Sequence, residues 1–232
     1  MNAKRTASLL ILAAVLANVA FTALGSIFNY PDVLDEPAGQ VLASFREHEG
    51  AVSAWFTVLA LSAALLAPIA IGVGRLSSAR AMRIAVPVGI AAATVQVIGL
   101  LRWPILVPGY AADAANGSAG ARDAFTTASD ILGTALGETL GYLLTATWTT
   151  LVIVALGRRY AGRWFVVLGA ASAGLVLAGV LSPLSLPVID TANFLGYVLW
   201  SVWLIAFAVV ILVHERRAAA APATPSRAAV TS

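Results

Sequence analysis

Residues 84–108 read IAVPVGIAAATVQVIGLLRWPILVP, and Arg102 is the only charge among them. At about 1.5 Å of rise per residue, a helix of this length reaches roughly 37 Å, more than the ~30 Å of hydrocarbon in a bilayer. A soluble core helix has no need for so long an apolar run. The stretch predicts a transmembrane helix, with an arginine inside it to be explained.

Five more runs of the same kind predict spans near residues 7–28, 51–74, 131–156, 164–186 and 193–213. The whole chain of 232 residues is 60% hydrophobic and only 11% charged, with mean hydropathy +0.90. Soluble domains carry about a quarter charged residues. The fold class is therefore all-α, a polytopic transmembrane bundle of six spans over residues 1–217. The tail 218–232, rich in Ala, Pro, Ser and Thr with no apolar face, is expected to be disordered.

A pI near 9.7 would suit a nucleic-acid binder, but the cations lie between apolar runs. They act as topology signals, and no nucleic-acid partner is expected. Lys4, Arg5, Arg75, Arg80, Arg83, Arg158, Arg159, Arg163, Arg216, Arg217 and Arg227 fall on one side of the alternating spans. The loops of the other side hold Arg46 and Arg122 beside Asp32, Asp35, Glu36, Glu47, Glu49, Asp113, Asp123 and Asp190. The positive-inside rule then predicts both termini in the cytoplasm. The basic start followed by LLILAAVLANVA also has the layout of a secretory signal peptide; cleavage near Ala23-Leu24-Gly25 would leave five spans. The segment AGQVLASFREHEG puts Val41, Leu42 and Phe45 on one side of a short helix, suited either to the outer membrane interface or to an ordinary loop.

An internal repeat runs through the second half. ETLGYLLTATW (138–148) and NFLGYVLWSVW (193–203) share LGY-x-L-x-x-x-W, with Glu138 opposite Asn193. The preceding spans end in P-x-x-x-P, at Pro104/Pro108 and Pro183/Pro187. Spans three–four and five–six thus form a duplicated hairpin in parallel orientation, the first copy having the longer outer loop.

Arg102 lies roughly 9 Å below the outer end of the third span and Glu138 roughly 10 Å into the fourth. Opposite charges at matching depth on neighbouring helices predict an ion pair, because an unpaired arginine in a span costs at least about 2.5 kcal/mol. Pro104 frees the Leu100 carbonyl, a further acceptor for the guanidinium, and predicts a bent, partly unwound outer end of the third span. Helical spacing adds polar stripes expected to face the bundle interior: Thr134, Glu138, Tyr142, Thr145 and Thr149; Asn18, Thr22, Gly25 and Asn29; Asn193, Tyr197 and Ser201. Gln96 points about 120° away from Arg102 and belongs to another contact. Gly169/Ala173 and Ala170/Gly174 read as close helix packing.

Other chemistry is excluded or lacks a signal. There are no cysteines, so disulfides and thiol chemistry are ruled out. His48 and His214 lie at opposite ends of the spans, which argues against a bis-histidine haem. No zinc-protease, nucleophile-elbow, Walker A or dinucleotide fingerprint is found, and no cofactor is expected.

At VQVIGLLRWPILVP and LGETLGYLLTATW the sequence resembles a bacterial family of multi-spanning membrane proteins catalogued as domain of unknown function 4386. The resemblance covers most of the chain outside the tail. It implies a six-helix integral membrane protein and brings no catalytic residues with it.

The leading functional reading is a non-enzymatic membrane protein with a polar site near its outer face, which binds or moves a small polar or anionic solute. Arg102, Glu138, Tyr142, Asn193 and Tyr197 would line it, with Trp103 and Asn18 as further candidates. Two readings stand beside it. The same residues could only clamp helices in a structural subunit, or Glu138 could serve as general base on a lipid-like substrate. Besides the lipid bilayer and such a solute no partner is indicated, and the oligomeric state is left open.

Overall fold

The structure, a computed structural model, describes residues 2–184 and 186–220. Among these residues there is no strand. Six helical segments are long and apolar enough to cross a membrane: Ala3–Phe28, Glu49–Leu76, Arg80–Ala115, Ala119–Ala161, Arg163–Leu184 and Val188–Ala220. The protein is an integral membrane protein of the multi-spanning class. Several spans outrun the apolar runs, because helix continues into polar sequence once the chain leaves the hydrocarbon.

The first span is α1 (Ala3–Phe28), capped by the Asn2 side chain, which accepts from the Arg5 N–H at 2.9 Å. It ends at Asn29, whose left-handed backbone (φ 50°, ψ 34°) turns the chain away. After α2 (Ala38–Glu47), the second span divides into α3 (Glu49–Ala64) and α4 (Leu66–Val73). The third is α5 (Arg80–Ile105), continued after one residue by α6 (Val107–Ala115). The fourth comprises α7 (Ala119–Ala128), a π-helix over Ser129–Leu140, and α8 (Gly141–Ala161). The fifth is α9 (Arg163–Ala178) with a 3₁₀ extension to Leu184, and the sixth is α10 (Pro187–Ala220). Neighbours in the bundle run α1, α3/α4, α5, α8, α9, α10 and back to α1, a closed ring.

Two apolar cores fill this ring. Near the chain termini, Leu10, Ile69, Val73, Trp148, Val152, Phe165, Trp203 and Phe207 are fully buried together. At the opposite end, Phe28, Phe45, Phe56, Trp103, Val107 and Phe125 form an aromatic plug. Trp103 stacks on Phe56 with ring centroids 4.7 Å apart and planes 6° from parallel. Val41, Leu42 and Phe45 of α2 are buried in this plug, so its apolar face is spent on the protein and not on the membrane interface.

The two hairpins of the repeat make equivalent contacts. Matching Pro104 to Pro183 aligns Gln96 with Leu175, and a Cβ on Gly141 would meet Gln96 just as one on Gly196 would meet Leu175. Trp148 seats on Gly89 of the preceding helix and Trp203 on Gly169. The paired aromatics then face one another, Tyr142 to Tyr197 at 5.7 Å and Trp148 to Trp203 at 6.1 Å. The longer outer connection of the first copy is α6 and α7.

Several expectations are corrected. The third span does not unwind at Pro104: α5 stays helical to Ile105, and Leu106 N–H resumes the ladder by donating to the Arg102 carbonyl at 2.8 Å. One missing donor interrupts a single bond. The irregular backbone lies in the fourth span instead. The stripe Asn18, Thr22, Gly25 and Asn29 faces outward. It can do so because Asn18 Nδ2 donates to its own helix at the Ala14 carbonyl (2.7 Å), which removes the need for a partner helix. Gly169 and Ala173 are buried in packing, whereas Ala170 and Gly174 are exposed, with nothing within 4 Å of a Cβ on Gly174. Of the tail, residues 218–220 continue α10, and 221–232 lie outside the described residues.

Candidate functional site

Between the aromatic plug and the inner core lies a polar layer built on the contact of α5 with the π-helix. Gly99 and Gly137 make this contact backbone to backbone. A Cβ on Gly99 would stand 2.7 Å from Gly137 Cα and 2.8 Å from the Leu132 carbonyl oxygen, so only glycine fits. One turn on, Arg102 crosses the same seam. Its guanidinium lies flat against Gly133, where a Cβ would stand 2.7 Å from Nη2 and 2.8 Å from Cζ.

Arg102 is only 6% exposed, so it does not snorkel to the headgroups. Its Nη1 donates to the Gly99 carbonyl at 2.7 Å, in place of the expected Leu100 carbonyl. The Cζ atom sits 5.2 Å from the centre of the Trp103 ring, a cation–π contact that also ties the charge to the plug. Nε is buried and has no hydrogen-bond partner among the described residues.

Glu138 is half-buried on the π-helix and acts electrostatically on Arg102, together with Tyr30 and Tyr142. The expected direct ion pair is not formed: among the described residues no hydrogen bond or salt bridge joins the two side chains. The π-helix gives the reason. Its i→i+5 turns are wider than α turns and carry Glu138 off the line that straight α geometry draws towards Arg102. Irregular backbone at this depth is tolerated only where protein or a water-filled cavity covers it, and π segments are frequent at functional sites.

The remaining predicted residues divide. Tyr142 and Tyr197 meet edge to face, and Tyr197 lies against the Thr145 hydroxyl. Asn193 is buried and donates from Nδ2 to the Val176 carbonyl at 2.9 Å, locking α10 to α9; it and Tyr142 close over Gly179. Gln96 Nε2 donates to Thr145 Oγ1 at 2.8 Å, a contact separate from that of Arg102 and nearly two turns away from it along the same pair of spans. Thr149 Oγ1 donates to the Thr145 carbonyl (2.9 Å) and accepts from Trp200 Nε1 (2.8 Å), which carries the polar chain inward. Asn18 does not belong to the layer.

Two members were missed. Tyr30, just past the left-handed Asn29, turns back into the layer, where it interacts electrostatically with Arg102 and Glu138. Burial pushes its phenol well above the usual range, Glu138 adds to this, and Arg102 opposes it, so the hydroxyl stays a neutral donor and acceptor. Asp190, exposed at the start of α10, extends its negative field to Glu138 and Tyr142.

No curated protein and no solved structure matches the chain. A family model does, described as Domain of unknown function (DUF4386), and its match runs over residues 6–208. That range reaches into all six spans, ending within the sixth, and takes in the whole polar layer from Tyr30 to Tyr197. Over nearly its full length, therefore, the chain belongs to the DUF4386 family of domains of unknown function.

Proposed function

We propose that this membrane protein binds a small polar solute in the Arg102–Glu138 layer, without performing chemistry on it. An anionic group of the solute would take the free donor capacity of Arg102, and a donor on its other end would face Glu138. The observation that carries this reading is the open pair. Two opposite charges share one neighbourhood without closing on each other, while Arg102 Nε is buried without a partner. A buried donor left unsatisfied costs about 1–3 kcal/mol, more for a charged group, and a guest that accepts from it would recover that cost. The hydroxyls of Tyr30, Tyr142 and Tyr197 add orienting groups. General-base chemistry at Glu138 is disfavoured, because the layer offers no histidine to complete it among the described residues, and the second acid, Asp190, is exposed at the start of α10.

A helix clamp is the second reading, favoured by the Arg102–Gly99 and Asn193–Val176 hydrogen bonds, which already use polar groups on backbone. Thermal unfolding of the purified protein against acetate, phosphate, sulfate and a set of amino acids separates the two. Solute binding requires that at least one anion raise the midpoint in the wild type and that Arg102→Lys or Glu138→Gln weaken the response. If no compound shifts the wild type, and the exchange Arg102→Glu/Glu138→Arg restores abundance lost in both single variants, the clamp reading stands alone. We further infer that both termini are cytoplasmic, from the cations gathered at their end of the bundle.

A further inference from the structure

At the end of the bundle that holds the start of α1 and the end of α10, the α8–α9 turn and the last turns of α10 border an open cleft of about 310 Å³. Tyr160 and Trp164 form one wall, Val209 and Val213 the other, and His214 and Arg217 stand at its rim. Tyr160 packs edge-on against His214, with ring centroids 4.6 Å apart. Gly162, in a left-handed conformation (φ 87°), turns the chain sharply enough to lay Trp164 beside the opening.

The lining changes character along its length. Val209 and Val213 are exposed and continue the apolar outer surface of α10. Trp164 is 47% exposed, in the manner of an aromatic at the headgroup level. Arg217 is exposed at the polar edge, with Arg158, Arg159, Arg163 and Arg216 in the same turn and helix end. A second, shallow surface depression of about 320 Å³, lined by Asn2, Lys4, Arg5, Ser8 and Leu9, lies at this end of α1, the neighbour of α10. Both thus join cations to apolar or small residues at the same membrane face.

We propose that the Tyr160–Trp164–His214–Arg217 cleft seats an anionic phospholipid. The phosphate contacts Arg217 and His214, and the glycerol and first acyl carbons lie along Val209 and Val213. A free phosphate ion would satisfy the rim but leave the valine wall unused. A zwitterionic lipid would use the wall, but its ammonium would face the cationic rim. The combination of wall and rim selects a lipid with net negative charge.

The test uses full-length protein in phosphatidylcholine nanodiscs titrated with phosphatidylglycerol carrying brominated chains, which quench nearby tryptophan. The portion of quenching lost in Trp164→Phe reports this cleft. Quenching should saturate with phosphatidylglycerol, and Arg217→Gln should weaken it about five-fold, the effect of one cation near an anionic surface. Arg217 is exposed, so this variant leaves the packing intact. Brominated phosphatidylcholine quenching Trp164 with equal affinity would overturn the proposal, as would an unchanged titration in Arg217→Gln. Displacement of the brominated lipid by millimolar inorganic phosphate would reduce the site to an ion site and overturn the lipid assignment.

Discussion

Gly99→Ala tests whether the polar layer depends on backbone contact between α5 and the π-helix. The added Cβ would stand 2.7 Å from Gly137 Cα and 2.8 Å from the Leu132 carbonyl oxygen, both main-chain atoms that no rotamer change can move. Carbon–carbon contact needs about 3.5 Å, so the two segments must part by roughly 0.8 Å. A gap of that size forfeits about a quarter to a half of the dispersion energy across the contact, and overpacking of this kind costs about 1–3 kcal/mol, occasionally more. Alanine returns up to about 1 kcal/mol through its higher helix propensity. With that return taken in full the net loss is about 0–2 kcal/mol, or up to roughly 8 °C in the unfolding midpoint of a chain this long. Gly137→Ala, with its nearest contact at 3.1 Å, should lose less. Gly174→Ala, in open space on α9, should be neutral or slightly stabilising. Midpoints of the three variants in one detergent provide the ranking. If Gly99→Ala proves as stable as Gly174→Ala, the close approach is not what holds Arg102 in place.

Trp103→Ala should cost about 3–5 kcal/mol by emptying the plug, whereas Trp103→Phe should retain most stability, since the indole N–H has no partner to lose; chemical unfolding of both variants checks this. Asn193→Ala should cost about 1 kcal/mol with the lost Val176 bond, and Asn18→Ala should stay within about 0.5 kcal/mol; equal losses would refute the division of these two residues between interior and exterior. Because the chain has no native cysteine, single replacements report topology directly. Ser118→Cys should react with a membrane-impermeant maleimide in intact cells and Ser77→Cys only after lysis, and the reverse pattern would invert the orientation.

Periodicity and length were enough to read the six spans, because a long apolar run has few other destinations. The repeat was legible for a similar reason: LGY and tryptophan at fixed spacing mark where one helix must come close to another and where a large ring must find a glycine. The layer was read less completely. Arg102 and Glu138 stood out as charges in apolar sequence, but their geometry depends on the π-helix, and nothing in SDILGTALGETL distinguishes i→i+5 from i→i+4 bonding. Tyr30 was hidden because its inward course is set by the backbone at Asn29 and the packing of Phe28 and Phe56, not by any period. Asn18 was misplaced because a stripe at helical spacing says which residues share a face, not which way the face turns.

The matched hairpins have a consequence for how such a layer could arise. Two separate copies of one hairpin, associating about a two-fold axis along the membrane normal, would have to present identical residues to each other. Tyrosine against tyrosine and tryptophan against tryptophan satisfy that rule, as Tyr142/Tyr197 and Trp148/Trp203 still do. A lone arginine in one half and a lone glutamate beside it do not: a symmetric ancestor would carry each of them twice, doubling the charge buried in the bilayer. Covalent joining of the halves relieves this constraint. With Leu181 where Arg102 has its counterpart and Asn193 where Glu138 has its own, one half of the molecule keeps the neutral hairpin while the other is free to hold charge.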